Sequence, residues 1–257
     1  MKKNLISILI TNHNKNKFLS NNLKKSLNQN YRNFEVILYD DRSTDGSIET
    51  IQKFKQINLI KNKKNYLHPP INQLEGIIKA FKQSKGKIIC LMDSDDYFGK
   101  KKLEFVNYYF NKNKKKNILF DIPFSKKKNF LPKQKNHSYS IWPSIIPTSG
   151  ISLKRNAMKK FIKVSQRKKF HHLEIDSRMS IFSYHYINEI NYTKTRLTFY
   201  GIDPFGISSK YSKFSKLWWY KRFQAFAYLK YILRKKNERF IISLDFLITK
   251  ILHYFIK

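Results

Sequence analysis

A chain of 257 residues with 52 Lys and Arg against 17 Asp and Glu carries a formal charge of +35, which calls for an anionic partner: phosphates, phospholipid head groups, acidic glycans or nucleic acid. Hydrophobic content of 41% and aromatic content of 16% exclude a disordered chain and fit one substantial core with at most a small appendage. The single cysteine, Cys90, excludes an intramolecular disulfide and a multi-cysteine zinc site; no apolar run is long enough to predict a spanning helix, and residues 5–10 are too short for a signal-peptide core.

Residues 5–10 (LISILI) predict a first strand that ends at Thr11-Asn12-His13-Asn14, followed by a helical pattern through Phe18, Leu19, Leu23 and Leu27. Residues 34–39 (FEVILY) predict a second strand ending in Asp40-Asp41. The turn Arg42-Ser43-Thr44-Asp45-Gly46-Ser47 then leads into a helix carrying Ile48, Ile51 and Phe54, with Ser43 or Asp45 as its cap. Residues 57–60 predict a short third strand. After a polar loop containing Pro69-Pro70, a helix over 71–84 presents the stripe Ile71, Leu74, Ile77, Ile78 and Phe81. Residues 87–98 (KIICLMDSDDYF) follow. Their apolar run is short, β-branched at its start and preceded by Gly86, so it reads as a buried strand running directly into Asp93, Asp95 and Asp96. Such alternation of strand and helix is the pattern of parallel, right-handed βαβ units.

Beyond Phe98 the pattern loosens. It predicts helices over 103–110, 156–164 and 174–186, a strand at 118–120, an element opening over 145–153, one or two strands within 186–200, and a helical tail over 210–257.

Six of the 17 acids fall in two windows, Asp40-Asp41-Asp45 and Asp93-Asp95-Asp96. Crowded carboxylates repel one another and resist burial unless a cation joins them. A hard divalent ion, Mn²⁺ or Mg²⁺, suits oxygen ligands and keeps positions open for phosphate oxygens. Asp96 reads equally well as a solvated turn residue. In an open α/β sheet both windows lie where ligands bind, beyond the carboxyl ends of the strands.

The order strand, T-N-H-N, helix, strand, D-D-R-S-T-D-G-S, helix and G-K-I-I-C-L-M-D-S-D-D resembles the GT-A fold nucleotide-sugar glycosyltransferases, specifically the large inverting family two with its V-D-D-G-S-T-D and F-L-D-x-D-D motifs. The resemblance covers residues 4–110. It implies an α/β, Rossmann-like fold with a mostly parallel central sheet flanked by helices. Residues 1–110 would be the nucleotide-sugar half and 111–205 the acceptor half of one domain, with 206–257 a C-terminal helical extension. It also implies a UDP-sugar donor, with Thr11, His13 and Asp41 at the nucleotide base, Asp95 on the metal, and Asp93 on the metal or ribose. His13 stands where the family has Tyr, and Arg42 where it has Gly or Asn. The Arg expected before Gly76 is missing from Asn72-Gln73-Leu74, with Lys61, Lys63 or Lys64 as replacements. An inverting transfer needs a general base. Within 173–179 (LEIDSRM), Asp176 followed by Arg178 resembles the family's acidic motif; Asp176 is the first candidate and Glu174 the second.

Among residues outside those motifs, His171 and His172 read as structural or surface side chains. Trp142, with His137 and Tyr139, is either an acceptor contact or part of the core. Asp203-Pro204 after Gly201 predicts a turn. The tail interleaves Trp218, Trp219, Tyr220 and Phe223 with Lys216, Lys221, Arg222 and Lys230. Phe240, Leu244, Leu247, Ile248, Ile251 and Phe255 then fall at helical spacing. A basic amphipathic helix of this kind predicts a peripheral enzyme on the inner, anionic face of the cell membrane, acting on a glycan or lipid-linked acceptor. Two other readings suit the charge: a protein that binds nucleic acid or another polyanion, and a nucleotidyltransferase. The first lacks a recognisable nucleic-acid module, and the second lacks a glycine-rich loop after the first strand.

Overall fold

The computed structural model describes residues 2–64, 68–125, 130, 142–166, 169–204 and 206–256. The four predicted N-terminal strands form as β1 (Ile6–Asn12), β2 (Phe34–Asp40), β3 (Ile57–Lys61) and β4 (Ile88–Asp93), joined by α1 (Asn16–Leu27), α2 (Ser47–Gln52) and α3 (Pro69–Gln83). Next come a two-residue β5 (Tyr97–Phe98), α4 (Lys102–Lys112), β6 (Ile118–Asp121), β7 (Ile151–Lys154), α5 (Arg155–Val164) and α6 (Ile175–Ile181). The chain closes with β8 (Tyr192–Thr193), β9 (Thr198–Phe199), α7 (Lys216–Lys235) and α8 (Leu244–Ile256).

The central sheet runs in the order β3-β2-β1-β4-β7-β6-β8. β3, β2, β1 and β4 are mutually parallel, β7 is antiparallel to β4 and to β6, and β8 is parallel to β6. The sheet is therefore continuous between residues 1–110 and 111–205. β5 and β9 pair separately. Alternation divides the core in two. Ile6, Ile8 and Ile10 of β1 and Ile88, Cys90 and Met92 of β4 pack with α1, α2 and α4. Leu9, Ile89 and Leu91 face α3, α5, α6 and α7. Gly76 lets α3 lie against β2, since a Cβ there would sit 2.4 Å from the Tyr39 ring.

The chain goes outward from β1 to β2 and β3, then returns to place β4 on the other side of β1. This reversal of strand order opens a crevice at the carboxyl ends of β1 and β4. The second half supports the crevice from below. Lys102, fully buried, pairs with Asp121 and donates to Thr198 Oγ1 at 3.1 Å, and Thr198 Oγ1 donates to the Ser149 carbonyl at 3.1 Å. Burial holds the Lys102 ammonium down to about 8. Ser149 in turn accepts the Asp93 amide at 2.9 Å.

The 174–186 helix is split: α6 ends at Ile181 and a wider π-turn covers Phe182–Ile187. The tail is two helices rather than one, broken at 236–243. His137 and Tyr139 lie outside the described residues. Trp142 is packed edge-on against Phe226, and its Nε1–H donates to Asp245 at 3.0 Å, which makes it a core and tail contact.

Candidate active site

Asn12 is the hinge of the crevice. Its carbonyl accepts the Asp41 amide at 2.8 Å, its Nδ2 donates to Asp40 at 2.7 Å, and its Oδ1 accepts the Ser94 hydroxyl at 2.7 Å. One side chain between β2 and β4 thus fixes both acidic turns. Asp40 is buried, and its carboxylate also accepts the Ser43 amide at 2.9 Å and hydroxyl at 2.7 Å. Asp41 turns into the crevice, where Asn62 Nδ2 donates to it at 2.7 Å. Arg42 beside it adopts a left-handed φ of 57°, which explains why Gly or Asn suits this position. His13 Nδ1 donates to the Asp41 carbonyl at 2.6 Å, tying the β1 loop to the β2 turn.

Asp93 sits at the end of β4. Thr11 Oγ1 (3.0 Å) and Gln73 Nε2 (2.7 Å) both donate to its Oδ1. Gln73 on α3 thus stands where the expected Arg is missing. Lys61, Lys63 and Lys64 do not take that place; their neighbour Asn62 reaches the site, while the cations lining it are Lys15, Arg42, Lys210 and Lys221. Lys15 lies 3.0 Å from Asp95 and also pairs with Asp203, so its ammonium bridges two carboxylates at the mouth. Asp203, read from the sequence as a turn residue, is a lining residue of the site. Asp96 is buried beneath, accepting the Gly201 amide at 2.7 Å. A Cβ on Gly201 would fall 2.0 Å from the Asp95 carbonyl oxygen, so only glycine lets this segment close on the acidic turn.

From the opposite wall, α6 presents Glu174 and Asp176. Glu174 occupies the N-cap position without making a side-chain cap bond. It pairs instead with Lys221 of α7, and its Oε1 is buried without a hydrogen-bond partner. Asp176 accepts the Ser177 amide at 2.5 Å. Arg178 points away from the site. Its guanidinium donates to the carbonyls of Leu173 (2.9 Å), Lys169 (2.9 Å), Phe170 (2.7 Å) and Ser165, clasping the loop that leads into α6. His171 and His172 also lie outside the crevice, grouped with His68 at ring-centroid distances of 4.7 and 5.4 Å.

All seven sequence candidates, Thr11, His13, Asp41, Asp93, Asp95, Glu174 and Asp176, line one cavity of about 740 Å³. Its electrostatics are those of crowded acids. Burial first, then the charges of Asp95 and Asp176, push Asp93 up to about 7. Burial and Asp176 push Glu174 up to about 7 against the pull of Lys221. Asp96 is raised by burial and by both neighbouring carboxylates.

The model of the glycosyl transferase family 2 matches residues 7–190, which contain both acidic turns and α6. The chain belongs to glycosyl transferase family 2. An Escherichia coli protein, UDP-Glc:alpha-D-GlcNAc-diphosphoundecaprenol beta-1,3-glucosyltransferase WfaP, is 34% identical over 94 residues, covering 37% of this chain and 36% of that one. The matched stretch is thus little more than a third of that relative's length. In fold, the chain is similar to Staphylococcus aureus TarS 1–349 in complex with UDP-GlcNAc (TM-score 0.62, 15% identity, covering 88% of this chain and 66% of that one). It is also similar to the mannosyltransferase PcManGT from Pyrobaculum calidifontis in complex with GDP-Man and Mn²⁺ (TM-score 0.64, 12% identity, 99% and 70%). The mixed α/β sheet flanked by helices is therefore the GT-A fold that the motifs imply.

Proposed function

We propose that this protein is an inverting glycosyltransferase that moves a sugar from a nucleotide diphosphate, a UDP-sugar, to a hydroxyl of a glycan or lipid-linked acceptor. The observation that carries this reading is the convergence of the two acidic turns and the α6 carboxylates on one cavity. Thr11, His13 and Asp41 are assigned to the nucleoside, on the β1–β2 side. His13 uses its Nδ1–H on the Asp41 carbonyl, which leaves the outer edge of the ring to face the base. Asp176 is the general base for the acceptor hydroxyl, with Glu174 the alternative. A carboxylate raised by burial, on a short helix across the cavity from the acidic turns, is the arrangement that deprotonation opposite the leaving group needs.

Mn²⁺ or Mg²⁺ fits the donor set. Asp95 and Asp93 offer oxygens only, and the Lys15 ammonium lying on Asp95 and Asp203 marks a place where positive charge is welcome. Among the described residues no three side chains form a metal site by themselves, as suits an ion completed by phosphate oxygens. Held by Asp95 and Asp93, such an ion would supply charge to the leaving diphosphate. Lys15, Arg42 and Lys210 add fixed positive charge around the same space.

The names of the relatives support the substrate choice: the E. coli protein is named for a UDP-sugar and a diphosphoundecaprenol acceptor, and the TarS structure holds UDP-GlcNAc. A lipid-linked acceptor places the enzyme on the inner face of the cell membrane, with residues 210–257 as the contact. Residues 1–110 serve the donor and 111–205 the acceptor. Nucleotide release from a panel of UDP-, GDP-, CDP- and dTDP-sugars with Mn²⁺, followed by the anomeric configuration of the product, tests the proposal. Release from a UDP-sugar with inversion is expected; no release from any donor, or retention, would overturn it.

A further inference from the structure

Helix α8 packs Phe246 against Phe226 and Phe240 at ring-centroid distances of 5.2 and 5.1 Å, but most of its large apolar side chains point the other way. Its polar residues Asp245, Thr249 and His253, spaced one turn apart, face α7. Asp245 pairs with Arg222, Thr249 Oγ1 accepts from Arg222 Nε at 3.1 Å, and the His253 ring stacks on Phe223 at 4.1 Å. The apolar side faces outward: Leu244, Leu247, Ile248, Ile251, Tyr254 and Phe255 are between 43% and 78% exposed. Ile241 and Ile242, just before the helix, are 74% and 65% exposed. A row of large apolar side chains turned to water along a whole helix is a surface that lacks its partner. No helix of the described residues is long and apolar enough to cross a membrane.

We propose that this face of α8 lies in the head-group layer of an anionic lipid bilayer, parallel to its surface. Charge selects lipid over protein as the occupant. The only acid of α8, Asp245, is paired with Arg222, and the exposed Lys250 adds positive charge on the outer side. The last turn of α7 adds Arg234 and Lys235 and the connection adds Arg239, all exposed, and Glu238 of the connection is paired with Lys236 at 2.7 Å. A second copy of a +35 chain would bring like charge against this rim, whereas anionic head groups meet it with opposite charge. The inference deepens the proposed function and rests on it for its purpose. α7 carries Lys221 into the catalytic cavity and the adjacent Arg222 into α8, so docking α8 holds the cavity beside the lipid.

The test is co-sedimentation of the full chain with phosphatidylcholine vesicles with and without phosphatidylglycerol, using wild type and the double variant Leu247→Gln/Ile251→Gln. Both positions are exposed, so the variant should melt as wild type does. Wild type is expected to pellet with the anionic vesicles only, less so at high salt, and the variant to lose about tenfold in partitioning. Wild type remaining in the supernatant, or a variant that binds equally, would overturn the proposal. So would a wild-type dimer in sedimentation equilibrium that the variant abolishes, since the face would then belong to a protein interface. UDP-induced thermal shifts on the same samples separate the two claims. An intact shift without vesicle binding sinks only the membrane inference, and vesicle binding without any nucleotide shift sinks only the donor reading.

Discussion

The two acidic turns look alike in sequence and are built for opposite purposes. In the turn after β2, most of the acid is architecture. Asp40 is buried among donors from Asn12 and Ser43. Asp45 binds the Asn16 amide at 2.8 Å and the Ser47 hydroxyl at 2.6 Å, starting α1 and α2 together. Burial works against its charge, yet these hydrogen bonds prevail and hold it below the ordinary aspartate value. In the turn after β4, donors are scarce. Asp93 has both side-chain donors on a single oxygen, Asp95 has an ammonium, and Asp96 has one amide with its Oδ2 unpartnered. Like charges packed this way remain hungry for a cation or proton. A carboxylate that the fold has already satisfied keeps the structure in place; one left under strain can serve a ligand.

If this contrast is right, the two turns should break differently. Asp95→Ala should cost the largest effect, about a thousandfold in sugar turnover, with a melting temperature close to wild type. A loss of folding instead would put Asp95 with the architectural acids. Asp40→Ala should do the reverse, lowering stability by about 3 kcal/mol in urea melts, because buried donors from Asn12 and Ser43 lose their acceptor. The opposite wall gives a smaller, pH-dependent effect. Glu174 is raised first by burial and then by Asp176, and only Lys221 pulls it down. Asp176 is likewise raised by burial and held down by Lys221, so Lys221→Met should move the acid limb of the pH–rate profile to higher pH whichever of the two is the base, while Lys221→Arg should keep it in place. An unmoved limb in Lys221→Met would dissociate both carboxylates from activity. The smallest effect belongs to Arg42, held at φ 57°. Arg42→Gly should raise stability by up to about 1 kcal/mol by relieving the left-handed backbone, at some cost to nucleotide affinity.

Most of the first half was legible in the sequence because its signals are local. Apolar runs such as 88–92 end in polar turns, so strand, turn and cavity wall can be read from adjacent residues. Helix ends moved by only a residue or two: α3 starts at Pro69, since proline is at home in a first helical turn. What escaped were residues whose roles depend on distant partners. Asn12 read only as one residue of the polar T-N-H-N strand end, yet it joins turns from β2 and β4. Gln73 gains its role only when α3 crosses Asp93, and Asp203 only when the chain returns to meet Lys15. Arg178 matched a motif by spacing, but the carbonyls of 165–173 capture its guanidinium first. The strands expected within 186–200 form as β8 and β9, but that β9 pairs with the two-residue β5 at Tyr97–Phe98 is a long-range contact with no local signal. The tail's periodicity was visible, but which face looks outward is a tertiary fact.

Calorimetric titration of UDP in the presence of Mn²⁺, into wild type, Asp41→Ala and Asp95→Ala, probes the proposed nucleotide-diphosphate site most directly. Micromolar-class binding is expected for wild type, about −8 kcal/mol, weakened by Asp41→Ala with or without the ion, while Asp95→Ala should remove the Mn²⁺-dependent part. Equal UDP binding by all three proteins, or none by wild type, would contradict the placement of the donor between the two turns.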